Sequence, residues 1–281
     1  MHNTCYTLIT GASEGLGKHL ALECARRRRN LVLLALPGSG LYKLTDYIRK
    51  YHSVQVETIE KDLSTEKSCF ELYVWLKEKG LHINCLINNA GIGGSFAFDE
   101  KDVHFYTRQI AVNVTAPTVL TRLLMADLRC YVPSHILNIS SMAGFFALHN
   151  KQVYGATKSY LFSFSRSLRR ELKDENVSVS VVCPGGMNTR WRLTMEHRME
   201  SGWLCRHSVM HPAAVARIAL DGMLKNKEVI VPGTWNKVFL VWNKIFPGWL
   251  KNRLTRSQAK KLTPILSPLN KEPDKTASIA V

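Results

Sequence analysis

A short apolar, β-branched run at residues 6–10 passes directly into Gly11-Ala-Ser-Glu-Gly15-Leu-Gly17 and then into a helical pattern that continues to Arg29. Strand, glycine-rich turn and helix follow one another with no spare residues. Glycines let the backbone come close to a bound group and take up turn conformations that a side chain resists. The helix that follows opens with unpaired N–H groups and the positive end of its dipole, an arrangement suited to a pyrophosphate. A tight packing turn is the competing reading. The rest of the chain favours the first, because further apolar runs at residues 30–36, 54–61, 81–88, 134–140, 177–183 and 228–231 alternate with helical patterns. That alternation predicts an α/β, doubly wound (Rossmann-like), mainly parallel sheet of about seven strands.

The expected organisation is one Rossmann-like domain over residues 1–233, an amphipathic basic helical extension over 234–262, and a disordered tail over 263–281, where Pro, Ser and Lys accumulate. A long helical pattern spans residues 101–129 and holds Pro117 four residues after Asn113. Proline lacks an N–H, so the carbonyl of residue 113 is expected to lose its helical partner and the helix to kink there. Arg26 to Arg29 end the first helix, where cations suit the negative dipole end; they are not expected to bind cofactor.

Chemistry concentrates in residues 141–158. Tyr154 and Lys158 are four apart, so on a helix an ammonium stands beside a phenol. The cation is expected to favour tyrosinate and to make the tyrosine a proton donor and acceptor near neutral pH. Residues 134–140 deliver Ser141 to a strand end, where its hydroxyl can orient a carbonyl.

The combination of Thr10-Gly11-x-x-x-Gly15-x-Gly17, Asn88-Asn-Ala-Gly91, Ser141, Tyr154-x-x-x-Lys158 and Pro184-Gly-Gly-Met-Asn-Thr189 resembles the classical short-chain dehydrogenase/reductase family, over about residues 4–233. It looks most like the oxoacyl-reductase and hydroxysteroid-dehydrogenase-like members. The resemblance implies an oxidoreductase with the tetrad Asn113, Ser141, Tyr154 and Lys158, in which the asparagine sits at a helix kink and a water links it to the lysine. It implies cofactor contacts from Gly11, Ser13, Glu14, Gly15, Leu16, Gly17, Asp62, Leu63, Asn89, Ala90, Gly91, Tyr154, Lys158, Pro184, Gly185 and Thr189. Asp62 has a second reading, as N-cap of the following helix. No metal is implied. Residues 190–210 fall where relatives carry a mobile lid, and with Phe145, Phe146 and Leu148 they suggest an apolar, lipid-like ketone or alcohol substrate.

The cofactor is expected to be NADP in preference to NAD. About twenty residues after the glycines, where a ribose-binding acid would sit, the chain has Ala35, Leu36, Pro37 and Gly38. The arginine that often marks NADP-dependent relatives is missing at Leu36, and Glu14 is unfavourable to a phosphate. Backbone N–H groups and a hydroxyl of the turn Pro37-Gly-Ser-Gly40, with Lys43 nearby, remain available.

The formal net charge of +16 is concentrated toward the end: residues 225–281 carry eleven Lys and Arg against three acids. Lys237, Lys244 and Lys251 oppose an apolar stripe of Val238, Trp242, Ile245, Phe246 and Trp249, so peripheral contact with an anionic membrane is one expectation and packing on the protein the other. Nucleic acid is not expected, for want of a recognition motif. The seven cysteines show no paired spacing, and no secretory signal is expected before Gly11, which together point to a cytoplasmic protein. A homodimer through the long helices is expected. The rival function is a non-catalytic dinucleotide-binding sensor or scaffold.

Overall fold

The computed structural model describes residues 4–187 and 209–245. Seven strands form one sheet: β1 Cys5–Thr10, β2 Asn30–Ala35, β3 Val56–Glu60, β4 His82–Asn88, β5 Ser134–Ile139, β6 Val177–Val182 and β7 Val229–Ile230, in the order β3-β2-β1-β4-β5-β6-β7. Every pairing is parallel. Parallel strands need crossovers that return over the sheet, so helices cover both faces and the strands are apolar on both sides. Alternate residues serve opposite cores. Leu8, Val32, Leu34 and Leu86 pack with Leu72, Leu120, Leu124 and Leu128 of α3 (Glu66–Glu78) and α5 (Ala116–Cys130). Ile9, Leu31, Leu33 and Ile87 pack with Leu20, Leu41, Ile48 and Leu220 of α1 (Gly15–Arg26), α2 (Leu41–Tyr51) and α7 (Pro212–Leu224). Each fully buried aliphatic side chain of this kind contributes about 1.5–3 kcal/mol.

Between β1 and β4 the strand order reverses, which opens a crevice above the strands' carboxyl ends. The arginines at the other end of α1 are structural. Arg27 pairs with Glu23 and with Asp221 of α7 at 2.7 Å, and Arg29 donates to Thr7 Oγ1 at 2.8 Å.

The helix around Asn113 differs from a simple proline kink. α4 (Val103–Ile110) continues through a π-helical segment, Ala111–Thr115, into α5, and the N–H of Ala116 bonds to the carbonyl of Ala111. Widening the register by one residue accommodates Pro117 in the first turn of α5 without breaking the rod. α6 (Gln152–Glu171) is continuous, and α8 (Thr234–Ile245) starts immediately after Gly233.

Candidate active site

The expected site residues that the structure describes gather at the carboxyl edge of the sheet. Gly11 to Gly17 form the β1–α1 turn, Asp62 and Leu63 follow β3, Asn89 to Gly91 follow β4, Ser141 follows β5, and Pro184 and Gly185 follow β6. Thr189 and residues 190–208 of the expected lid lie outside the described residues.

The glycine turn is built by close approach. Gly11 and Gly15 have φ of +66° and +53°, in the left-handed region. A Cβ on Gly17 would lie 1.9 Å from the Gly11 carbonyl oxygen, so no other residue fits without moving the loop. Ser13 is half-buried, Glu14 exposed and Leu16 buried. Glu14 occupies the cap position of α1 yet makes no side-chain cap hydrogen bond, and no acid stands in the first helical turn. The opening N–H groups of α1 are therefore uncapped by a side chain and suited to an anionic ligand.

Asn89 braces this loop. Its Nδ2 donates to the carbonyls of Thr10 and Gly11, both at 3.0 Å, while the backbone N–H groups of Asn89 and Ala90 donate to Thr10 Oγ1. The Asn89 amide thus serves the loop. Thr10 stood in the sequence motif, but its part in this brace was not legible there because its partners are nearly eighty residues away.

Asp62 does not cap α3; Thr65 does, accepting from the Ser68 N–H. A side-chain oxygen on a residue three before the N–H it accepts from is the local signal for a cap, and Asp62 stands too early for it. Instead Asp62 Oδ1 accepts from Ser64 N–H and Oδ2 pairs with Arg108 at 2.9 Å, so its carboxylate is already partly engaged. Leu63 is buried.

An acid also enters the β2–α2 turn from an unexpected strand. Glu60 is in register with Ala35, and its Oε2 accepts from the Gly38 N–H at 3.3 Å. A carboxylate from β3 thus stands at the turn after β2, through a register that spacing along β2 cannot reveal.

Asn113 is fully buried, and its side chain is used in full. Oδ1 accepts from Ile92 N–H at 2.7 Å, and Nδ2 donates to the Ile92 carbonyl and to Thr157 Oγ1. It fastens the loop after β4 to α6, so its side chain positions other residues, and its backbone lies in the π-helical segment.

Ser141, Tyr154 and Lys158 converge. The turn Met142–Phe145 lies so close to α6 that a Cβ on Gly144 would sit 2.9 Å from the Lys158 carbonyl carbon. The Ser141 hydroxyl accepts from the Ala143 N–H at 3.1 Å and stands near enough to the Tyr154 phenol to favour its ionised form. Lys158 Nζ lies 5.7 Å from the centre of the Tyr154 ring and donates to the Ile139 carbonyl at 3.0 Å. Burial drives the Lys158 ammonium down from the usual 10.5 to about 8, and beside it burial pushes the Cys183 thiol up to about 12. The phenol is not lowered as expected. Burial raises the Tyr154 pKa and the Ser141 hydroxyl only partly opposes it. Sequence spacing registers the cation and not the desolvation.

A glycine turn at a helix start, a serine at the end of β5, and a tyrosine and lysine one helical turn apart on α6 form one crevice. Residues 6–200 match the family model for short chain dehydrogenases. The chain belongs to the short-chain dehydrogenase family. It is an oxidoreductase of that family. It is 31% identical over 187 residues to very-long-chain 3-oxoacyl-CoA reductase-A of Danio rerio, covering 64% of this chain but only 57% of that protein. It is 28% identical to 11-beta-hydroxysteroid dehydrogenase-like 4A of Arabidopsis thaliana over 89% of this chain and 83% of that one. Among solved structures it resembles the bulky-bulky ketone specific alcohol dehydrogenase from Comamonas testosteroni, with a TM-score of 0.71, 27% identity and 98% of both chains covered. A short-chain dehydrogenase from Sphingobium yanoikuyae in complex with NADPH gives 0.71 at 25% identity, again over 98% of both chains.

Proposed function

We propose that this short-chain dehydrogenase interconverts a ketone and a secondary alcohol on a bulky, apolar, lipid-like substrate with NADP, or less favourably NAD, as cofactor. The observation that carries the reading is the convergence of Ser141, Tyr154 and Lys158 beside the glycine turn. A nicotinamide bound in the crevice supplies hydride chemistry. The uncapped start of α1 holds the pyrophosphate, and Gly11, Gly15 and Gly17 let the backbone reach it. Ser141 holds the substrate oxygen. Tyr154 passes its proton to that oxygen in reduction and takes it back in oxidation, and Lys158 compensates the charge on the phenolate. Raised by burial, the phenol keeps its proton at neutral pH, which suits it to donate in the reducing direction.

The named relatives that act on oxoacyl and steroid substrates support an apolar ketone, and the neutral pair Ala35 and Leu36 supports tolerance of a 2′-phosphate. Exposed Ile110 and Tyr160, on α4 and α6, support a homodimer through those helices, and sedimentation at micromolar concentration that returned only monomer would refute it.

Oxoacyl, steroid and aliphatic ketones offered with NADPH and NADH, followed at the nicotinamide absorbance, test the function. Tyr154→Phe should abolish turnover and leave cofactor binding nearly intact. More than a few per cent of residual activity would remove Tyr154 from the chemistry.

A further inference from the structure

At the amino ends of β5 and β6, the opposite edge of the sheet from the crevice, lies a cavity of about 340 Å³. Its charged walls are Arg169, in the last turn of α6, and Lys173, just past the end of that helix. No acidic side chain is among the described residues that line it. Cations at a helix end complement the dipole, but that role asks for no cavity. The Arg169 guanidinium is fixed in place. Nη1 donates to the Val179 carbonyl at 2.9 Å and to Asn226 Oδ1 at 2.7 Å, and Nη2 donates to the Asn226 carbonyl at 2.9 Å. Those bonds leave the Nε–H and a second Nη2–H, which share one edge of the planar group and suit two oxygens side by side. A guanidinium held in this way loses little freedom when it binds. Glu228, whose charge Arg169 also feels, is bonded to Arg166 at 2.6 Å and does not line the cavity. The remaining polar walls are neutral. His135 Nδ1 lies 2.6 Å from Ser178 Oγ, and burial, then Arg29, lowers the imidazole pKa to about 4.

We propose that this cavity is a second binding site, separate from the catalytic crevice, and that it takes a phosphate monoester of a small polyol. Arg169 holds two phosphate oxygens through its open edge, and Lys173 supplies the second positive charge. A phosphate monoester carries a charge of roughly −1.5 to −2 at neutral pH, which matches two cations where a single carboxylate would not. Asn176, His135 and Ser178 offer hydrogen-bonding groups to the hydroxyls of the ester. The volume lies within the range that accepts a small metabolite. Binding makes and breaks no covalent bond, and it does not depend on the reading of Tyr154.

The test is calorimetric titration of glycerol 3-phosphate into the full chain saturated with NADPH, so that the crevice is filled and the phosphate reports from elsewhere. Saturable binding at about millimolar concentration or below is expected, and glycerol should give none. Lys173 is exposed, so Lys173→Glu leaves the fold intact and should weaken binding about tenfold or more, the scale of one charge-assisted hydrogen bond. Arg169→Lys keeps the charge without the fork and should also weaken it. Lys50→Glu makes the same change of charge on exposed α2 and should have no effect. A second arm measures sedimentation with vesicles of phosphatidic acid against phosphatidylcholine. Sedimentation that needs phosphatidic acid and falls in Lys173→Glu but not in Lys50→Glu identifies the source as a lipid headgroup; saturable binding of the soluble ester without it identifies a free metabolite. If neither probe binds in a manner that depends on Lys173, or if Lys50→Glu weakens binding as much as Lys173→Glu, the proposal is overturned and the two cations serve the helix end alone.

Discussion

Replacing Lys158 with methionine should destroy activity and change how the protein's stability depends on pH. The ammonium is fully buried and its pKa falls from 10.5 to about 8, so a folded chain at pH 7 carries the cost of holding a proton there. A shift of this size corresponds to roughly 3 kcal/mol. Methionine removes that cost but leaves the Ile139 carbonyl without its donor, a loss of about 1–3 kcal/mol. The net change at pH 7 is therefore small; its pH dependence is not. Between pH 8 and 10.5 the unfolded lysine holds its proton and the folded one has released it, so unmodified stability rises with pH in that window. The variant's stability relative to the unmodified protein should fall by about 2–3 kcal/mol between pH 7 and pH 10. Urea unfolding of cofactor-free protein at both pH values, unmodified against Lys158→Met, measures the difference, in which other titrating groups cancel. A difference that stays flat, or grows in favour of methionine, would refute a desolvated, protonated lysine.

Three further outcomes follow from geometry. Gly17→Ala places a methyl group against the Gly11 carbonyl and should abolish NADPH binding and lower stability by about 3 kcal/mol, both read by titration and thermal unfolding. Glu60→Gln removes the carboxylate from the β2–α2 turn and should tighten NADPH relative to NADH; an unchanged ratio in fluorescence titrations would dismiss Glu60 as a discriminator. Removing residues 246–281 deletes Lys251, Arg253, Arg256, Lys260 and Lys261, and should reduce sedimentation with anionic vesicles at low salt if the extension docks on a membrane, each cation contributing about 1 kcal/mol. Intact protein that ignores such vesicles would assign the extension to the protein's own surface.

What was legible in the sequence was local or periodic. Glycine spacing at residues 11–17 marks the turn because the constraint lies within one strand–helix junction, and apolar runs gave all seven strands within a residue or two. Tyr154 and Lys158 declared themselves by one helical turn of separation. The hidden parts depend on long-range approach. Asn89 bonds to Thr10, Asn113 to Ile92 and Thr157, and Glu60 to Gly38, and no spacing rule joins those pairs. Pro117 signalled a disturbance, but whether a helix kinks or widens by a residue depends on packing around it.

Asn236, in the first turn of α8, is buried, donates to the Pro232 carbonyl at 2.8 Å, and fills the space above Gly185, where a Cβ would come within 2.6 Å of its Oδ1. The start of the C-terminal extension is thus a buttress for the turn that follows β6. Chimeras that exchange extensions among short-chain dehydrogenases should be joined beyond this turn of helix, because a junction at Gly233 would carry away the residue that shapes the Pro184–Gly185 backbone.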